Sequence, residues 1–228
     1  MALIEEMDSA RNLLNYGERV IRTAAFIETT RDPILTMLSI GAEKLLKLAL
    51  GLSILDESGA WPSQATMKNE FRHGTKLMDA ALRERLRVGI VGREYESYIA
   101  GLLGAVESDL IWPAILDALD TYGRSGRFYN LDMLGEQPQS WDSPIGYWDS
   151  IESAALASDA ELNARYHAAL ASGDQPEFDE FLSALNAKIA DSLHRWWEMI
   201  AVLGRHGVLG ETGKVFGFEA HPDAVGRQ

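Results

Sequence analysis

Ile40-Gly-Ala-Glu-Lys-Leu-Leu-Lys-Leu-Ala-Leu50 is the strongest helix signal in the chain, and the rest of the sequence reads as its cover. Ile34, Leu38, Ala42, Leu45, Ala49 and Leu52 recur every three or four positions, the spacing of one helix face. Leu46, Leu48 and Leu50 widen that stripe until little of the helix is polar, so it belongs at the centre of an all-α protein. Lys44 and Lys47 lie one turn apart, and Glu43 precedes Lys47 by four residues, the favourable orientation for an ion pair along a helix.

Working outward, an earlier helix is predicted from about Leu3 to Thr30, ended by Arg31-Asp32-Pro33, with Asp32 capping the central helix. The central helix runs out at Asp56-Glu-Ser-Gly59, and Trp61-Pro62 makes the connection to a third helix from Arg72 to about Val88. A fourth, from about Arg93 to Ile111, carries Tyr98, Leu102, Leu103 and Val106 inward, with Gly101 and Gly104 admitting a neighbour, and Pro113 breaks or kinks it. Beyond it the pattern continues to a glycine-marked turn at Tyr122-Gly-Arg-Ser-Gly-Arg-Phe-Tyr-Asn130. Ser143-Pro144 opens a helix reaching Tyr166, and Asp174-Gln-Pro-Glu177 reads as a capping box before a long amphipathic helix ending near Leu203. From Gly207 the glycines are frequent enough to predict a loop and frayed end. No segment alternates apolar and polar residues long enough for a sheet. The organisation predicted is a helical bundle over 1–135, an acidic helical extension packed on it over 136–207, and a glycine-rich tail over 208–228.

Composition narrows the functions. At 46% hydrophobic and 24% charged residues the 228-residue chain has the profile of a globular protein, with an interior of useful size. No apolar run approaches 18 residues, and Met-Ala-Leu-Ile-Glu-Glu-Met-Asp lacks the basic and apolar regions of a signal peptide, so no membrane partner and a cytoplasmic location are expected. With no cysteine and five scattered histidines, neither a metal site nor a cofactor is predicted. A net charge of -13 argues against nonspecific coating of nucleic acid. The charge is uneven, however. Lys68 to Arg93 holds seven basic residues against three acidic ones and is suited to face an anion, whereas Asp132 to Asp191 holds twelve acidic residues against two basic ones.

Gly207-Val-Leu-Gly-Glu-Thr-Gly-Lys214 fails as a phosphate loop, because Val215 stands where Ser or Thr is needed and no strand precedes it. His194 beside Trp196 and Trp197 reads as a histidine at the core's edge. Two constellations remain. Arg72, His73 and Lys76 stand at the entrance to the third helix, where backbone amides and cations together suit an anion. Arg124, Arg127, Tyr129, Asn130 and Asp132 gather at a turn, where arginine offers planar contacts to phosphate and tyrosine a stacking face. Helix capping and one salt bridge would use the second set equally well.

Glu43-Lys-Leu-Leu-Lys47, the Trp61-Pro62 connection, Arg72-His-Gly-Thr-Lys-Leu77 and the later Arg127-Phe-Tyr-Asn-Leu-Asp132 resemble, in kind and order, the HEPN domain over roughly residues 10 to 135. The resemblance implies a helical bundle that dimerises around a composite cleft, in a family rich in metal-independent ribonucleases of toxin-antitoxin and conflict systems. Their signature is Arg, four to six residues, then His. No histidine here has an arginine so placed upstream; the nearest match, Arg127 to Asp132, has Asp in place of His. A carboxylate lacks the imidazolium that protonates a leaving oxygen near neutral pH. The expectation is therefore an RNA- or nucleotide-binding or regulatory protein, a catalytically degenerate relative with Arg127 and Asp132 as the residual catalytic candidates, working as a homodimer. An interaction module that docks a basic protein on its acidic helices is the alternative, and an active ribonuclease the third.

Overall fold

The computed structural model describes residues 1–69, 71, 74–136 and 143–224. α1 (Ala2–Thr23) and α2 (Ile27–Ser58) form an antiparallel pair, as the matches Gly17 to Leu38 and Glu6 to Lys44 require. Gly17 sets their separation, because a Cβ there would fall 2.4 Å from a Leu38 methyl. The stripe predicted for α2 is buried along its whole length, from Ile34 through Leu45 to Leu52. Lys47 donates to Glu43 at 2.7 Å, the ion pair read from their spacing.

After α2 come α3 (Gln64–Asn69), α4 (Thr75–Ile90), α5 (Glu96–Glu107) and α6 (Trp112–Arg124). A 3-10 turn (Gly126–Phe128) and α7 (Tyr129–Asp132) follow, then α8 (Pro144–Ser158), α9 (Ala160–Ser172), α10 (Gln175–Arg205) and α11 (Gly210–Glu219). The protein is all-α, with no strand among the described residues. α2 and α10 are its two long axes, bridged by α1, α6, α8 and α11, each of which packs on both. One hydrophobic cluster runs through the bundle, so α10 adds Phe181, Leu185, Trp196 and Trp197 to the core that α2 lines. Trp196 stacks on Trp112 of α6, ring centroids 4.4 Å apart. No single helix among the described residues is long and apolar enough to cross a membrane.

Several boundaries differ from the sequence reading. α1 stops at Thr23, and Pro33 lies inside α2, not at its start. Buried Ile27 anchors the added turn, and the Thr29 carbonyl that loses its donor to Pro33 belongs to an exposed residue. Ser143 caps α8 as its sequence indicates, accepting from the Gly146 amide at 3.1 Å, but Asp159 then breaks the helix by capping α9 through the Glu161 and Leu162 amides. The Asp174 side chain makes no capping bond at the start of α10. On α5, Tyr98 points outward, and added Cβ atoms at Gly101 and Gly104 would meet nothing within 4 Å. Most instructive is the end of the chain, where the expected loop is instead α11, with Phe216 fully buried. Gly217 serves as a contact surface here: a Cβ on it would lie 2.2 Å from the Arg205 backbone nitrogen of α10. Residues 137–142, at the start of the predicted acidic extension, lie outside the described residues.

Candidate anion-binding cleft

The first turn of α4 has amides without partners inside the helix, and a carboxylate from α6 meets them. The Lys76 amide donates to Asp120 Oδ1 at 3.1 Å, and the Thr75 hydroxyl donates to the same oxygen at 3.4 Å. Asp120 is buried, and its other oxygen pairs with Arg124 one turn further along α6. The Lys76 ammonium reaches outward to Asp117, whose hydrogen bond and charge hold it above the ordinary lysine value. Lys76, Asp117, Asp120 and Arg124 line a cleft of about 430 Å3, floored by the Thr121 and Ser125 side of α6 and flanked by Tyr147 of α8.

This arrangement joins one member of each constellation seen in the sequence, Lys76 from the entrance to α4 and Arg124 from the turn after α6. Arg72 and His73 lie outside the described residues. Arg127, Tyr129, Asn130 and Asp132 sit on the 3-10 turn and α7, outside the cleft lining. The Arg127 guanidinium donates at 3.0 Å to the Gly123 carbonyl, so it closes the C-terminal end of α6. Asp117, Asp120 and Tyr147 were missed. Asp120 carries a local signal, since it and Arg124 are four apart on one helix; Asp117 pairs with Lys76 of another helix and Tyr147 arrives from beyond the turn, so neither has one.

The cleft is close to electrically balanced, with two cations and two carboxylates, but the two pairs differ in permanence. Asp120 is enclosed and bound to an amide, a hydroxyl and a guanidinium, whereas Lys76 and Asp117 are each about half exposed, and an exposed pair contributes little and exchanges easily. Elsewhere the basic segment of α4 is matched by the protein itself. Arg83 pairs with Asp79 at 2.7 Å, Arg85 with Glu57 at 2.5 Å, and Arg87 with Glu84 and Glu107.

Two further polar clusters are structural. Asp79 is fully buried, accepts from Trp196 Nε1 at 2.7 Å, and has its carboxyl pushed above the usual range by burial, which Arg83 only partly offsets. His194 lies at the core's edge as its setting suggests, its Nδ1 3.1 Å from both oxygens of Glu18, and that hydrogen bond raises its pKa. Among the described residues no three His, Asp or Glu side chains are grouped to hold a metal ion. Compared with known proteins, the chain matches no family model, no characterised protein and no solved structure.

Proposed function

We propose that the protein binds a nucleotide-like anion, a mononucleotide or the end of an RNA strand, in the cleft between α4, α6 and α8, as a catalytically degenerate relative of the HEPN ribonucleases. The observation that carries this reading is the convergence of Lys76 and Arg124, from separate parts of the sequence, on one cleft flanked by a tyrosine. Its volume, about 430 Å3, falls in the range of small-molecule sites. Lysine supplies a point charge for phosphate and arginine a planar fork, while the Tyr147 ring offers a face for a base. An incoming phosphate takes the Lys76 ammonium from Asp117 and leaves Asp120 on the end of α4. Asp117 thus acts as an internal competitor for the ligand.

Titration with adenosine monophosphate and with a short single-stranded RNA tests this. Lys76→Ala and Arg124→Ala should each weaken binding by about 10- to 100-fold, the range for a hydrogen bond to a charged group. Asp117→Asn should strengthen it, because the competitor is gone. No binding by the wild type, or unchanged affinity in all three variants, would overturn the reading. No RNA cleavage is expected, since no imidazole stands four to six residues after Arg127. A homodimer belongs to the same proposal. Trp196 and Trp197 are buried within one chain, whereas Leu77 and Val88, on one face of α4, are among the exposed apolar side chains available to such a contact.

A further inference from the structure

A second cavity, of about 320 Å3, opens where the first turn of α2 meets α8, α9 and α10. Three aromatic rings line it. Phe181 lies at the centre of the set, 5.9 Å from Phe178 and 5.2 Å from Tyr166 between ring centroids, and neither pair is stacked flat. Three carboxylates share the same cavity, Glu28 from α2 and Asp149 and Glu152 from α8. Their charge is answered only in part, by the Arg31 charge one turn along α2 from Glu28, which acts on Glu152 from outside the lining. Among the described residues neither Glu28 nor Asp149 has an ion-pair partner, in contrast to the arginines of α4, and no Lys, Arg or His lines the space. Glu152 accepts from Trp148 Nε1 at 2.8 Å, yet burial, with Asp149 and Glu28 adding to it, lifts its carboxyl above the usual range.

We infer that this cavity binds a small organic ammonium ion carrying an apolar body. The aromatic faces and the carboxylates each suit such a ligand for a separate reason. Ring faces are negative at their centres and attract a cation, and their apolar surface holds the attached hydrocarbon. The carboxylates supply the counter-charge in a partly enclosed space, where an ion pair is screened less than on open surface. A neutral ligand of the same shape would use only the rings. An anion would meet three like charges. The size limits the ligand to one ring or a short branched chain beyond its charged group.

Benzylamine and its neutral counterpart benzyl alcohol are the probes, titrated into the full chain with calorimetry and with the Trp148 indole N–H resonance as readouts. That indole bonds the cavity's own Glu152, so occupancy moves it. Benzylamine should bind at least about tenfold more tightly than benzyl alcohol. Phe178→Ala and Glu152→Gln should each weaken benzylamine by about tenfold, the glutamine keeping an acceptor for Trp148. Asp149→Asn, at an exposed position, repeats the charge test without touching that bond. Equal affinity for the two probes, benzylamine binding that ignores all three substitutions, or no binding of benzylamine at millimolar concentration would each overturn the assignment.

Discussion

Replacing Asp120 by alanine removes three connections made by one buried carboxylate: the Lys76 amide, the Thr75 hydroxyl and the Arg124 guanidinium. The first two close the N-terminus of α4, a loss of about 1 kcal/mol for a capping oxygen, and the charge on that helix end adds roughly 0.3–1 kcal/mol. The Arg124 side chain is about half exposed, so its pair adds little, on the order of 0–1 kcal/mol. The total is about 2 kcal/mol, which for a chain of this length lowers Tm by about 4–8 °C. Asp120→Asn keeps an acceptor for the amide and gives up the charge, so it should lose about half as much. Thermal melts followed by circular dichroism, at low and at high salt, separate the parts: the capping contribution persists, while the Arg124 contribution is screened. An Asp120→Ala protein that melts with the wild type would show that α4 does not depend on this carboxylate.

Leu45→Asp should leave the chain unfolded at room temperature by circular dichroism, since Leu45 is fully enclosed and an unpaired charge there exceeds the net stability of a domain. His194→Gln should be destabilising only where the histidine is charged. Its folded pKa lies above the ordinary histidine value, so the wild type's advantage is complete below that ordinary value and is lost as pH rises through the raised folded one, which urea midpoints across pH will check. Arg127→Ala should change stability by less than about 0.5 kcal/mol and leave nucleotide affinity unaltered, because its bond is to the end of its own helix, outside the cleft; lost binding would return Arg127 to the site.

What could be read from the sequence was what depends on neighbours along the chain. Helical periodicity announced α2 and α10, the Glu43 to Lys47 spacing their ion pair, and Ser143-Pro144 the start of α8, because each is a relation within one or two turns. Tertiary structure decided what depends on partners far away. The glycines after Gly207 read as breakers, but Gly217 against the Arg205 backbone permits close packing that turns the tail into a helix. Pro33 read as a helix start, but the burial of Ile27 carries α2 past it. The basic run of α4 read as an anion surface, yet its charges are answered by Asp79 of α4 itself and by Glu57, Glu107 and Asp117 of three other helices. A residue's charge is local, whereas its neutralisation is a property of the fold. The cleft therefore emerged only when α4, α6 and α8 brought Lys76, Arg124 and Tyr147 together.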